Sequence, residues 1–128
     1  MKLNKVHHIA LIVSDYEKSK HFYTKILDLE IVKETFREAR NSFKLDLALN
    51  GQYVIELFSF PDHVARPSYP EALGLRHLAF EVDDIELAAS ELQQHNIPTE
   101  AIRTDEITGK RFFFFADPDG LPLEFYEL

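Results

Sequence analysis

One sequence motif occurs twice in this chain, and this repeat limits the possible fold more than any other feature. The stretch HHIALIVSD at residues 7–15 returns as RHLAFEVDD at residues 76–84. Four residues match without a gap, namely His8 with His77, Ala10 with Ala79, Val13 with Val82, and Asp15 with Asp84. A repeat on this scale is typical of one supersecondary unit that is used twice. The chain is therefore expected to contain two modules of the same design, each of which begins with one copy of the motif.

The two modules share one order of predicted elements. In the first module, runs of β-branched and aromatic residues predict strands at 6–13, 30–36, 43–49 and 52–58. The dipeptide Asn50-Gly51 predicts a tight hairpin between the last two of these strands. In the second module, the same signals predict strands at 75–82, 98–103, 110–116 and 122–126.

One helix is predicted after the first strand of each module. Ser14 or Asp15 can cap a helix that runs to about residue 27, and Asp83 or Asp84 can cap its counterpart in the second module. Both modules therefore read β-α-β-β-β. The expected fold class is α+β.

Two such modules are expected to fold as one domain that spans residues 1–128. The modules occupy about 1–60 and 75–128, and a proline-containing linker covers about 59–74. A single module has one apolar sheet face and too few residues to cover it. Two modules can bend their strands into one curved, eight-stranded sheet that forms a trough, with the helices on the outside.

The composition narrows the range of functions. There is no cysteine, which excludes disulfides, thiolate nucleophiles and cysteine-ligated zinc or iron–sulfur sites. The net charge of -8, without a basic stripe, argues against nucleic acid as a partner. The first apolar run, residues 9–13, is too short for a signal peptide or a membrane span. A cytoplasmic protein that binds a small molecule or a second copy of itself is expected.

Four polar residues interrupt the apolar strands in a repeated arrangement. His8 and His77 stand on the predicted first strand of their modules, while Glu56 in YVIELF and Glu124 in LPLEFYE stand on the last. Because successive side chains of a strand point to opposite faces, all four are expected to face into the trough.

A divalent metal ion explains this set better than four separate structural roles. A carboxylate inside an apolar strand costs several kcal/mol unless it is paired or bound to a metal. Two nitrogen and two oxygen donors suit Ni(II), Co(II), Zn(II), Mn(II) or Fe(II). Taken singly, a strand histidine is usually structural and a strand glutamate usually faces solvent. The repetition in both modules favours a metal site at His8, Glu56, His77 and Glu124.

Other polar and aromatic residues are expected to be structural. His7 is predicted to face away from His8, and solvated positions are predicted for His21, His63 and His95. The run Phe112 to Phe115 is interpreted as core packing rather than a substrate box. An anionic substrate tail could be bound by a basic residue, and the candidates, most of which are expected to be surface charges, are Arg37, Arg40, Arg66, Arg76, Arg103 and Lys110.

The segments HHIALIVSD, VIELF, GLRHLAFEVDD and DPDGLPLEFYE together resemble the vicinal oxygen chelate superfamily. This is the glyoxalase/bleomycin resistance/dihydroxybiphenyl dioxygenase fold, and the resemblance covers essentially the whole chain. It implies the ligands His8, Glu56, His77 and Glu124, the arrangement of glyoxalase I. In dioxygenases and thiol transferases of the superfamily, the position of Glu56 is generally not a ligand. The resemblance also implies a homodimer, with each metal site either within one chain or shared between two.

The resemblance to glyoxalase I implies a reaction as well. In that family a carboxylate ligand acts as the base that moves a proton between C1 and C2 of a hemithioacetal. Glu56 and Glu124 are therefore the predicted catalytic residues of a metal-dependent lyase or isomerase. The glutathione-contacting segment of the family is replaced here by PDHVARPSYPEALG. The resemblance therefore supports the metal chemistry of glyoxalase I more strongly than it supports the same substrate. The alternatives are a dioxygenase or thiol transferase of the same superfamily, or a binding protein without catalysis.

Overall fold

A computed structural model describes all 128 residues, from Met1 to Leu128. The contacts divide the chain into a first unit, Met1–Val64, and a second unit, Ala65–Leu128. Each unit contains one four-stranded sheet. The predicted α+β class, the two β-α-β-β-β modules and their eight strands are confirmed.

The first unit forms a mixed sheet in the order β1-β4-β3-β2. Strand β1 runs parallel to β4, and the other pairs are antiparallel. The elements are β1 Ile9–Val13, helix α1 Tyr16–His21, a π-helical turn Phe22–Ile26, β2 Glu30–Arg37, a 3-10 turn Glu38–Arg40, β3 Ser42–Leu49 and β4 Gln52–Ser59.

The second unit repeats this topology in the order β5-β8-β7-β6. Its first and last strands, β5 and β8, are again parallel neighbours. The elements are β5 Leu78–Val82, helix α2 Ile85–Gln94, β6 Arg103–Thr104, β7 Arg111–Ala116 and β8 Pro122–Glu127.

Aspartates begin both helices, as the sequence predicted. The carboxylate of Asp15 accepts a hydrogen bond from the Lys18 amide at 3.1 Å. Asp84 accepts from the Glu86 and Leu87 amides at 3.1 and 3.0 Å. These bonds satisfy amides that have no partner within the helix, which is why the chain turns into a helix directly after each first strand.

Strand alternation decides which face of each sheet is buried. In the first unit Leu45, Leu47 and Leu57 are fully buried, and in the second unit so are Phe113 and Leu123. The interpretation of the phenylalanine run as core is therefore half right. Phe113 and Phe115 are buried, whereas Phe112 and Phe114 are half-buried on the opposite face of β7, the face that carries Glu124.

Three predicted strands are shorter in the structure by more than one residue. Strands β1 and β5 begin at Ile9 and Leu78, so both site histidines directly precede a strand. The strand predicted at 98–103 is reduced to Arg103–Thr104 and an isolated bridge between Thr99 and Phe115. Pro98 has no amide hydrogen to donate to a ladder, which limits pairing at that end. No helix is both long and apolar enough to cross a membrane.

Candidate metal centre

His8 and Glu56 meet in the first unit. Glu56 lies on β4 opposite Ala10 of β1, and its chain neighbours Ile55 and Leu57 are buried in the core. The Nε2 atom of His8 lies 3.5 Å from Oε2 of Glu56. The Glu56 side chain is 12% exposed and that of His8 36%. Alternation on β4 therefore turns this carboxylate to the face away from the core, as predicted.

His77 and Glu124 form the corresponding pair in the second unit. Glu124 lies on β8 opposite Ala79 of β5, just as Glu56 lies opposite Ala10. The Nε2 atom of His77 is 3.0 Å from Oε2 of Glu124, whose side chain is 12% exposed. The ring of His77 also meets the Phe114 ring edge to face, with the centroids 5.1 Å apart. The predicted ligands thus form one imidazole–carboxylate pair in each unit.

The donor chemistry of each pair fits a divalent metal ion. Each pair offers one imidazole nitrogen and one largely buried carboxylate, the donors preferred by borderline and harder divalent ions. Each pair supplies only two donors, and no group of three or more histidine, cysteine or acidic side chains is arranged to hold a metal ion together. Either pair alone therefore provides half of the predicted ligand set.

A polar network surrounds Glu56 that the sequence analysis missed. The Tyr53 hydroxyl donates to Glu56 Oε2 at 2.5 Å and lies 3.1 Å from Oδ1 of Asp46. The Lys44 ammonium lies 3.5 Å from Asp46 Oδ1 and 3.5 Å from Glu56 Oε2. Lys44 and Asp46 alternate with buried leucines on β3, a signal that could have placed them on the face of Glu56. No comparable alternation in the sequence indicated that Tyr53 lies on this face.

Burial and this network shift the pKa of Tyr53 in the same direction and the pKa of Glu56 in opposite directions. Burial, followed by the hydrogen bond to Glu56, raises the pKa of the Tyr53 hydroxyl, so it stays protonated and able to donate. Burial alone would raise the pKa of Glu56. The hydrogen bond from Tyr53 and the charge of Lys44 outweigh burial and hold that pKa below its ordinary value. Glu56 is therefore a carboxylate at neutral pH.

The surroundings of the two pairs differ in chemistry. On β3, Asp46 is the cross-strand partner of Glu56, whereas on β7 the partner of Glu124 is Phe114. Lys44 likewise has an aromatic counterpart, Phe112. Charged groups therefore surround Glu56, and aromatic rings lie beside Glu124.

His7 is exposed, but the prediction that it faces away from His8 was wrong. Its Nδ1 atom lies 2.8 Å from Nδ1 of His8, and its ring is 5.4 Å from that of Tyr53. Both histidines precede β1, so strand alternation does not separate them onto opposite faces. The other three histidines are exposed as predicted, and these are His21, His63 and His95.

Two of the six basic candidates line a groove of about 490 Å³ in the second unit. Arg103 extends over the rings of Phe112 and Phe114, with its guanidinium carbon 5.0 and 5.8 Å from their centroids. Arg76 is the other, and its Nε atom pairs with Glu71 at 2.9 Å. The groove is within the size range of small-molecule sites and includes Phe114, the ring in contact with His77.

A family model described as the Glyoxalase/Bleomycin resistance protein/Dioxygenase superfamily matches residues 5–125. The chain belongs to this superfamily. The uncharacterized protein YaeR of Escherichia coli (strain K12) is 63% identical over 98% of this chain and 97% of its own length. The uncharacterized protein YwkD of Bacillus subtilis (strain 168) is 61% identical over 99% of both chains. The resemblance to the superfamily that was predicted from the sequence is confirmed.

Solved structures support this membership of the superfamily. The glyoxalase family protein from Enterococcus faecalis has a TM-score of 0.91 and 48% identity, covering 99% of this chain and 100% of that one.

Among more distant sequence relatives, the metallothiol transferase FosB of Staphylococcus saprophyticus is 30% identical over 97% of this chain and 77% of its own length. Superfamily membership thus spans more than one reaction class.

Proposed function

We propose that this chain is a divalent-metal-dependent lyase or isomerase of the glyoxalase I type, acting on a small substrate with two adjacent oxygens. In this proposal His8, Glu56, His77 and Glu124 hold one ion, either within one chain or across a dimer. The proposal rests on the imidazole–carboxylate pair that recurs in both units. A thiol adduct of a 2-oxoaldehyde is the substrate class that we favour.

The burial of both carboxylates supports a metal ion as their partner. Desolvating a carboxylate is costly unless a positive charge compensates for the lost water. Lys44 supplies part of that charge to Glu56, while the partner of Glu124 is the His77 imidazole, which is charged only when it is protonated. When bound, the ion would act as a Lewis acid that stabilises negative charge on the two substrate oxygens.

The proton transfer is assigned to the carboxylates of the chain itself. A base that takes a proton from one carbon and returns it to the adjacent carbon completes an isomerisation without another reactant. Glu56 is held by Tyr53 and lies near Lys44, whereas Glu124 contacts His77. We therefore assign the larger share of the base role to Glu124 and a mainly ligating role to Glu56.

A screen combined with metal analysis tests this proposal. Protein purified without oxygen should carry one of Ni, Co, Zn, Mn or Fe, and it should convert adducts of 2-oxoaldehydes with at least one of several thiols. The second candidate is a thiol transferase, which the 30% identity to FosB favours. Enzyme-dependent transfer of the thiol to another electrophilic substrate, without proton transfer between the adjacent carbons of the oxoaldehyde adduct, would support that candidate instead. Ligand binding without turnover would indicate a binding protein.

Arg103 is expected to bind an anionic end of the substrate. Its guanidinium has five N–H donors, and its exposed pair with Glu100, at 3.2 Å, is weak enough to be exchanged for a ligand. Arg103→Gln should raise KM for a carboxylate-bearing adduct about ten-fold with little change in kcat, the effect of losing one charge-assisted hydrogen bond. A neutral adduct should be unaffected by this change.

Arg40→Gln is the matched control for Arg103→Gln. The Arg40 guanidinium carbon lies 5.0 Å from the Phe60 ring centroid, in the same kind of contact but in the first unit. KM should stay unchanged in this variant. An equal rise of KM in both variants, or a rise for the neutral adduct, would contradict the assignment of Arg103.

A homodimer is expected in solution. The edge strand β2 exposes Ile31, Val32 and Phe36 to 50%, 57% and 48%. Exposed apolar side chains on an edge strand favour association with another chain. Light scattering at micromolar concentration should give about twice the chain mass of 14.9 kDa. A mass equal to one chain would contradict this expectation.

A further inference from the structure

Tyr53 reaches Glu56 because β4 contains a β-bulge. On a regular strand, residues 53 and 56 would point to opposite faces, since their separation is an odd number. The register with β3 shifts here, because Leu47 pairs with Ile55 but Ala48 pairs with Tyr53. The extra residue, Val54, turns Tyr53 to the face of Glu56. Bulges commonly redirect a side chain next to a functional site.

The contacts of Glu56 fall on one of its two oxygens. Tyr53 donates to Oε2 at 2.5 Å, and His8 Nε2 and Lys44 Nζ lie 3.5 Å from the same atom. The phenol has a single proton, so its short bond to Glu56 and its 3.1 Å contact with Asp46 cannot both be donated at once. The shorter distance assigns the proton to Glu56. This bond restricts rotation of the carboxylate, and Oε1 makes none of these three contacts.

We propose that Tyr53 is a positioning residue that fixes the Glu56 carboxylate through Oε2 and so keeps it in the orientation of a metal ligand. This inference rests on the proposed function, because it assumes that Glu56 binds the ion. Partners that orient a ligating carboxylate contribute to metal affinity although they do not touch the metal. Lys44 and Asp46 complete the network by holding charge of both signs beside the Tyr53 hydroxyl.

The first unit contains a matched control for this contact. The Tyr16 hydroxyl donates to the carboxylate of Glu34, and the Lys20 ammonium lies 2.7 Å from the same Glu34 oxygen. A tyrosine, a glutamate and a lysine are thus combined as they are around Glu56, but Glu34 belongs to neither histidine pair. Replacing Tyr16 with Phe removes the same kind of hydrogen bond without touching the candidate metal centre.

The test compares Co(II) binding by the wild type, Tyr53→Phe and Tyr16→Phe. Calorimetric titration of metal-free protein with Co(II) should show an affinity about 10- to 100-fold lower in Tyr53→Phe, as for the loss of a partner that orients a ligand. Its Co(II) visible absorption spectrum should also change, because the ligand is no longer held in one orientation. Tyr16→Phe should keep the wild-type affinity and spectrum, even if its melting temperature falls.

Each outcome separates this inference from the proposed function. If the wild type binds Co(II) and Tyr53→Phe binds it with equal affinity and an unchanged spectrum, Tyr53 does not position Glu56 and only this inference is overturned. An equal loss of affinity in Tyr16→Phe would show that the effect is general destabilisation, which also overturns it. If the wild type binds no Co(II) or other divalent ion, the proposed function and this inference both fail. Melting temperatures of the metal-free proteins verify that all three are folded.

Discussion

Glu124→Gln is expected to reduce turnover about 10²- to 10⁴-fold, the range associated with losing a general base. Glutamine retains an oxygen that can coordinate a metal ion but has no basicity at neutral pH, so the metal content should remain close to that of the wild type. Exchange of the substrate's carbon-bound proton into heavy water should slow by a similar factor. The change conserves side-chain volume, so the fold should tolerate it although the residue is buried.

Glu56→Gln is the variant with which Glu124→Gln is compared, because it tests whether the two carboxylates have different roles. The carboxylate of Glu56 is held by Tyr53 and lies near Lys44, and a carboxylate so constrained is less able to carry a proton between two carbons. Its loss should lower turnover only about ten-fold, an effect comparable to losing a group that orients the site. A larger drop in Glu56→Gln than in Glu124→Gln would reverse the two assignments.

A dioxygenase would give a different pattern in the same variants. Such an enzyme consumes oxygen and depends on Fe(II) or Mn(II), and it has little demand for a base at position 56. Oxygen uptake on a catechol by the wild type, undiminished in Glu56→Gln, would contradict the lyase proposal. The two glutamine variants therefore separate reaction classes as well as residue roles.

His77→Ala is expected to produce the largest loss of metal. The substitution removes one of the four proposed ligands and leaves Glu124 without its imidazole neighbour at 3.0 Å. Affinity for a divalent ion should fall by at least the roughly 10- to 100-fold that loss of an outer partner causes. A ligand present at 100 times its Kd stabilises a protein by about 2.7 kcal/mol, so most of that stabilisation should disappear with the metal.

Metal content and melting temperature, measured with and without a chelator, test this expectation. The chelator should lower the melting temperature of the wild type and have little further effect on His77→Ala. His95→Ala serves as the control, because His95 is an exposed histidine that follows α2 in the same unit. Full metal content and an unchanged melting temperature in His77→Ala would show that His77 is not a ligand.

The sequence determined those features that depend on local periodicity. Period-two alternation placed Glu56 and Glu124 on the face opposite their buried neighbours, and the structure confirms both orientations. The repeat predicted one histidine and one glutamate at matching positions in each module, and the structure places the two residues of each unit next to each other. A strand fixes side-chain direction through its own backbone geometry, so no knowledge of the rest of the fold was needed.

Only the tertiary structure decided which side chains surround those pairs. Tyr53 lies beside Glu56 because of a bulge at Val54, and a bulge reverses the alternation on which sequence reasoning relies. The position of Arg103 over Phe112 and Phe114 likewise depends on how β6 pairs with β7. Strand register is set by the sum of many contacts between segments distant in sequence, and a shift of one residue moves every side chain to the other face. For that reason the sequence identified the candidate ligands, and the structure alone identified the residues that hold them.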